Sequence, residues 1–172
     1  ERKINKESFA AGFNDNFNNV VKAEEMSSPI VIEKGEEIKE PVSSVRDKLE
    51  PEDVFIKGGN ALDPEGNVGV MVGARDGGTV GKNMGDVVSR GINLLIPIGL
   101  EKNISSSVTQ ISKSIGSQEF EKSMGTKVGL WPLYGTVITE IEALSILFGV
   151  DAFQIGAGGI GAGRGSITLG IE

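Results

Sequence analysis

The residues best suited to chemistry follow a short apolar run near the middle of the chain: Lys57, Asn60 and Asp63. A lysine whose pKa is lowered by burial can act as a base or as a Schiff-base nucleophile. Asp63 would then orient the lysine or accept a proton from a substrate hydroxyl. The structural alternative is that Asp63 caps its own turn and that Lys57 lies on the surface.

A second candidate is the glycine-rich stretch from Gly73 to Lys82, GARDGGTVGK, which precedes a segment able to form a helix. Glycines let the backbone approach an anion closely, and amides at a helix start carry partial positive charge. Arg75 adds a second cation to Lys82, but Asn83 follows that lysine, so the stretch is not a Walker loop. Anion binding and a plain tight connection both remain open. The predicted ligand-binding set is Asn60, Gly77, Gly78, Thr79 and Lys82.

Two further candidates lie in the last third of the chain. Glu140 stands at the head of an apolar segment, where a carboxylate can act as a base with a raised pKa or can simply suit the helix macrodipole. The run GAGGIGAGRG, residues 156–165, would either wrap a phosphate or connect the last two strands as a hairpin, which we favour. The predicted catalytic set is Lys57, Asp63 and Glu140, and no metal site is predicted.

Composition excludes several classes of mechanism. The 172 residues include no histidine and no cysteine, which rules out a Ser-His-Asp triad, a cysteine nucleophile, a disulfide scaffold and a histidine-bearing metal centre. A net charge of −7 disfavours partners such as nucleic acid or an anionic membrane surface. No apolar run is long enough to cross a bilayer, and we expect a cytoplasmic protein.

The elements that must position these residues alternate between strands and helices from Val54 onward, which indicates an α/β domain over residues 51–172. Strand 54–56 is expected to be buried on both faces and to pair antiparallel with strand 68–72 across a tight turn. We expect a layered domain with a mostly parallel central sheet flanked by helices and an antiparallel edge hairpin. The other predicted strands are 92–100, 128–133, 152–156 and 166–171, and the predicted helices are 83–90, 105–115, 118–124 and 136–148.

Residues 1–50 are expected to form a separate helical and charged segment. Phe9, Phe13 and Phe17 recur at the spacing of an amphipathic helix over residues 7–21, which would pack on its own domain or serve as a partner helix. Residues 33–40 are rich in Glu and Lys and are expected to form a solvated loop or helix surface. A short helix is expected at 43–49, with Ser43 or Ser44 as its cap.

The central stretch EDVFIKGGNALDPEGNVGVMVGARDGG resembles the ribose-5-phosphate isomerase type A segment that runs strand, D-G-A-D-E-V-D-P, then glycine-rich loop. It is also similar to the G-A-D segment of initiation-factor-B-like sugar-phosphate isomerases. Both groups belong to the superfamily that includes glucosamine-6-phosphate deaminase and the CoA-transferases. The resemblance covers about a sixth of the chain and implies the superfamily's α/β fold and its placement of ligands.

The departures from the isomerase pattern affect its chemistry. Lys57 and Asn60 stand where the isomerases carry acidic residues, and Asp63 alone keeps its acid. Gly81 and Lys82 stand where the isomerases carry a Glu-Lys pair. The resemblance therefore does not extend to the isomerase's proton-transfer groups, because an asparagine cannot replace a carboxylate as a base.

We expect an α/β protein that binds a small phosphorylated or carboxylated metabolite, with sugar-phosphate or acyl chemistry if it is an enzyme. The cofactor is not identified. The alternative is a non-catalytic oligomeric protein with a structural or regulatory role, and a homo-oligomer is expected in either case. A Rossmann dinucleotide enzyme is disfavoured because no intact fingerprint precedes an acidic residue at the right distance.

Overall fold

Ten strands and four α-helices make up residues 29–172, the part of the chain that this computed structural model describes. The helix predicted for residues 7–21 lies outside the described residues. The strands are β1 (Val31–Glu33), β2 (Glu36–Ile38), β3 (Val54–Ile56), β4 (Ala61–Leu62), β5 (Val68–Val72), β6 (Asn93–Pro97), β7 (Gly129–Leu133), β8 (Thr136–Ile138), β9 (Ala152–Ala157) and β10 (Ile167–Ile171). The helices are α1 (Val42–Val45), α2 (Gly78–Arg90), α3 (Val108–Ser114) and α4 (Glu140–Phe148), with 3₁₀ turns at Arg46–Lys48, Leu100–Lys102 and Gly161–Gly163.

The strands form four small sheets, so the protein is mixed α/β. One three-stranded sheet is parallel, in the order β3-β6-β8, and another is antiparallel, in the order β4-β5-β7. Hairpins β1–β2 and β9–β10 are two-stranded. The expectation of a mostly parallel central sheet is met only in part, because Gly58 and Gly59 carry the chain from the parallel sheet directly into the antiparallel one.

The predicted pairing and burial of strand β3 are wrong. It pairs parallel with β6, from Val54 opposite Asn93 to Ile56 opposite Leu95, and not with β5. Val54 and Ile56 are 55% and 62% exposed. Val54 and Ile56 lie on the face of the sheet opposite Phe55, which packs against the main core, and the described part of the chain does not cover that face.

The segment predicted as one helix over residues 136–148 divides into two elements. Thr136, Val137 and Ile138 form β8, which pairs parallel with β6. These β-branched residues fit a pleated sheet better than a helix. Helix α4 begins only at Glu140, after Thr139 closes a capping box with Glu142.

Three smaller expectations also change. Most of the segment 33–40, expected as a loop or helix surface, belongs to hairpin β1–β2, which spans residues 31–38 and whose turn places Lys34 and Gly35 at positive φ angles. Pro41, and not a serine, precedes α1 at its N-cap. The helix expected at 118–124 is replaced by turns, where the Ser123 hydroxyl bonds the nearby carbonyl of Gly125 and competes with helical hydrogen bonding.

The main core lies between α2 and both three-stranded sheets. Helix α2 contributes Val80, Met84 and Val87, and the parallel sheet contributes Leu94 and Ile96 from β6. The antiparallel sheet adds residues of β5. A second cluster joins Ala61, Val108 and Leu130, which seats α3 on the antiparallel sheet. No helix among the described residues is long and apolar enough to cross a membrane.

Candidate functional site

The two three-stranded sheets meet at Gly58 and Gly59, and we call this place the junction. The Lys57 amide still bonds the Leu95 carbonyl of the parallel sheet, whereas the Asn60 amide bonds the Gly69 carbonyl of the antiparallel sheet. A Cβ atom on Gly59 would lie 2.2 Å from Val68 Cγ1, so this position needs glycine. The tight packing holds the two glycine carbonyls in fixed places at the carboxyl end of β3.

Two lysines donate to these carbonyls. Lys57 Nζ bonds the Gly58 carbonyl at 2.9 Å, and Lys102 Nζ bonds the Gly59 carbonyl at 2.9 Å. Lys57 follows β3, and Lys102 ends the 3₁₀ turn that follows β6, the neighbouring parallel strand. The carboxyl ends of parallel strands are where open α/β sheets bind ligands. We call Lys57 and Lys102 the lysine pair.

The lysine pair carries uncompensated positive charge. Both side chains are half-buried, and no ion pair joins either ammonium to a carboxylate within residues 29–172. Burial lowers the pKa of Lys57, and the nearby charge of Lys102 lowers it further. A lysine with a lowered pKa supplies more of the neutral amine at a given pH, as a base or nucleophile requires.

Asp63, predicted as a catalytic acid or base, is buried and fully hydrogen-bonded. Its Oδ1 accepts from the amides of Glu65 and Asn67, and its Oδ2 accepts from the amide of Val108. The side-chain amide of Asn67 donates to both oxygens. A carboxylate has about four acceptor sites, so little capacity is left for a substrate.

Asn60 and Glu140 are engaged with the backbone. Asn60 Oδ1 accepts from the Met71 amide at 3.0 Å, which fastens the start of β4 to β5. Glu140 Oε2 accepts from the Leu100 amide at 2.9 Å, which ties α4 to the segment after β6. No hydrogen bond or ion pair joins Lys57, Asp63 and Glu140 to one another in residues 29–172, and of the three only Lys57 bonds a glycine of the junction.

At the start of α2, the protein supplies its own anion. The carboxylate of Asp76 accepts from the Gly78 amide at 2.9 Å and lies 3.3 Å from Lys82 Nζ. Gly77 precedes the helix in a left-handed conformation, and Thr79 is exposed. Gly77, Gly78 and Lys82 are therefore close together, as predicted, but Asp76 occupies the position that a bound anion would take.

The same loop borders an open cleft of about 480 Å³. Its lining includes Arg75, Gly77, Gln118 and Trp131. Arg75 makes no hydrogen bond or ion pair with any residue in the described range. A second cleft, of about 500 Å³, is lined by Asp63, Leu100, Thr139 and Glu142 near the junction. Both carboxylates of the second cleft, Asp63 and Glu142, already accept hydrogen bonds within the protein.

The sequence reasoning missed Lys102, whereas Glu142 was predicted, with Thr139 and Glu140, at the head of the apolar helix. Lys102 could have been found from its place just after a buried strand, had β3 and β6 been recognised as parallel neighbours. Glu142 receives hydrogen bonds from Thr139, whose hydroxyl and amide both donate to Glu142 Oε2. The hydroxyl bond is the main reason that the pKa of Glu142 is lowered.

Residues 29–172 contain no group of three or more acidic residues that could hold a metal ion. Comparison with protein-family models, with curated proteins and with solved structures found no match. The resemblance to the sugar-phosphate isomerase and CoA-transferase superfamily is therefore still a prediction based on the central stretch.

Proposed function

We propose that this protein binds a small phosphorylated or carboxylated metabolite at the junction, with the lysine pair holding its anionic group. The observation that supports this most is the half-buried lysine pair without a carboxylate partner in the described part of the chain. Taking a charge out of water is costly unless an opposite charge or hydrogen bonds compensate for it. A bound anion would supply the missing negative charge.

The donors of the lysine pair are suited to an anion. An ammonium group has three N–H donors, and each lysine uses one of them on a glycine carbonyl. Each ammonium keeps two donors for the oxygens of a phosphate or carboxylate group. Charge-assisted hydrogen bonds of this type are roughly twice as strong as neutral ones.

If the protein is an enzyme, Lys57 is the residue best placed to act as base or nucleophile, because its pKa is lowered and no carboxylate in the described part of the chain pairs with its ammonium group. Asp63 is not suited to that role, since its oxygens are fully used. Glu140 uses one oxygen on the Leu100 amide, and no contact joins it to the lysine pair in residues 29–172. Sugar-phosphate or acyl chemistry, the superfamily resemblance and a cytoplasmic location stay predictions.

The proposal is tested by isothermal titration calorimetry with inorganic phosphate, citrate, ribose 5-phosphate and a CoA ester. Lys102→Gln removes the charge and leaves a polar amide on a side chain one bond shorter, so we expect binding of the best ligand to weaken about tenfold or more. Lys113→Gln is the matched control, because Lys113 is exposed on α3 and has no ion pair in residues 29–172. Equal affinity of all three proteins would refute the assignment of the site.

The alternative function, a non-catalytic oligomeric protein, is supported by a different observation. Helix α4 and strand β9 expose several large apolar side chains, described below. Light scattering with and without each ligand separates the alternatives. A stable oligomer that binds none of the ligands would favour a structural or regulatory role, whereas a ligand that binds through the lysine pair would favour the first proposal.

A further inference from the structure

An apolar surface lies on α4 and β9, and we call it the apolar face. Its five members are between 52% and 71% exposed: Ile146, Leu147, Phe148, Phe153 and Ile155. No residue of α4 is fully buried, even though most of its side chains are apolar. Exposed apolar residues scattered singly are common, but five within ten positions on two contacting elements are not.

The apolar face also lacks charge. Between residues 143 and 163, Asp151 is the only charged residue, whereas charged residues make up 24% of the whole chain. Depletion of charge combined with enrichment of aromatic and aliphatic side chains is typical of the core of a protein–protein interface.

The size of the apolar face suits a dimer. Five large side chains, each at least half exposed, present on the order of 500 Å² of apolar surface, which is near the upper limit for a stable monomer. A standard interface buries about 800 Å² on each partner, part of it in a polar rim. The apolar face is thus large enough to form the central part of such an interface.

We infer that the apolar face binds the same face of a second copy of this chain. Two copies that each carry a net charge of −7 repel each other, and a contact through a surface whose five members are all apolar limits the like charges that are brought together. A two-fold interface needs a self-complementary patch, which a uniformly apolar surface can provide. This inference does not depend on the anion site.

The two-stranded sheet β9–β10 supports the same assignment. A two-stranded hairpin is marginally stable in water unless another element covers it. Through Ile167 and Leu169, one side of this two-stranded sheet packs against the main core. Phe153 lies over Gly170, where any side chain would collide with its ring, so the opposite side presents the aromatic ring to the surroundings. A second copy would cover that side.

The test is sedimentation equilibrium of the full chain at several concentrations, with Phe148→Asp and Phe153→Asp as separate variants. Each substitution should weaken self-association at least about 30-fold, as is usual for an aromatic residue at the centre of an interface. Val88→Asp is the matched control, because Val88 is an apolar residue 73% exposed on α2 and lies outside the apolar face. Circular dichroism spectra of all variants check that they fold.

Three results would overturn the inference. One is a wild-type chain that stays monomeric at every concentration, which would mean that another part of the chain or a different partner covers the apolar face. Another is a dimer that persists in both aspartate variants. The third is a dimer that Val88→Asp disrupts as strongly as Phe148→Asp does.

Discussion

The carboxylate of Asp63 accepts a hydrogen bond from the backbone amide of Val108 at 2.9 Å, although 45 positions separate the two residues. The same carboxylate closes the turn between β4 and β5 through the amides of Glu65 and Asn67. Val108 is completely buried and begins α3. Asp63 therefore fastens α3 to the antiparallel sheet, next to the junction.

Replacement of Asp63 by asparagine should destabilise the protein. An asparagine has nearly the same shape as an aspartate, but its NH₂ group replaces an oxygen that accepts hydrogen bonds from backbone amides. Amides that lose their acceptor lower the free energy of unfolding by about 1–3 kcal/mol. Urea denaturation at neutral pH measures the loss. Asp47→Asn, at an exposed position, is the control and should change stability little. An unchanged urea midpoint for Asp63→Asn would mean that the carboxylate is free for ligand binding.

The stabilisation by Asp63 should disappear in acid. Burial alone raises the pKa of this carboxyl, but hydrogen bonds from Asn67, Val108 and Glu65 outweigh it, so its net pKa is lowered. As the pH falls, the Asp63 carboxylate therefore takes up a proton in the unfolded state before it does so in the folded state. The contribution of Asp63 to the free energy of unfolding is fully present above about pH 4 and is lost as the pH falls through the folded-state pKa. The gap in unfolding free energy between wild type and Asp63→Asn should narrow from pH 7 to pH 3. A constant gap would contradict the assigned hydrogen bonds.

Two glycines of helix α2 should respond oppositely to alanine. A Cβ atom on Gly81 would lie 1.9 Å from the Asp76 carbonyl oxygen, whereas a Cβ atom on Gly85 meets nothing within 4 Å. Gly85→Ala should stabilise the protein by about 0.5–1 kcal/mol through helix propensity. Gly81→Ala should destabilise it, because the loop that carries Asp76 must move. Thermal unfolding of both variants measures this, and equal shifts in Tm would rule out the close approach.

The capping box of α4 should contribute measurably to stability. Thr139 Oγ1 accepts from the Ile141 amide, and the Glu142 carboxylate accepts from the Thr139 amide. Thr139→Ala should cost roughly 0.5–2 kcal/mol, as is usual for an N-cap residue. Ser145→Ala, an exposed position in the same helix, is the control. If a double-mutant cycle of Thr139→Ala and Glu142→Gln shows strict additivity, the two residues do not act together.

Local signals in the sequence predicted many of the elements. Helix α3 and its serine cap, the strand at β7 and the hairpin between β9 and β10 follow from periodicity, caps and glycines, and the structure confirms them. The partner of β3 could not be predicted in the same way. Its pairing with β6 joins residues almost 40 positions apart, and nothing local in Val54–Ile56 distinguishes an edge strand from a buried one.

The candidate site was predictable in part for the same reason. Lys57, Asn60, Asp63 and Glu140 were selected by residue type, and Lys57 and Asn60 flank the two glycines of the junction. Whether a polar side chain is free or already bonded depends on distant backbone groups, such as Val108 for Asp63 and Leu100 for Glu140. Lys102 belongs to the site only because β3 and β6, the strands that precede Lys57 and Lys102, pair as parallel neighbours.

The most direct test of the anion site is NMR of the Lys57 side-chain nitrogen, titrated with pH in the presence and absence of inorganic phosphate. Burial and the charge of Lys102 lower the pKa of Lys57, and a bound anion favours the charged ammonium. We expect phosphate to raise the pKa of Lys57, and we expect Lys102→Gln to raise it without phosphate. A pKa of Lys57 that does not change when saturating phosphate is added would contradict the proposal that the lysine pair binds an anion.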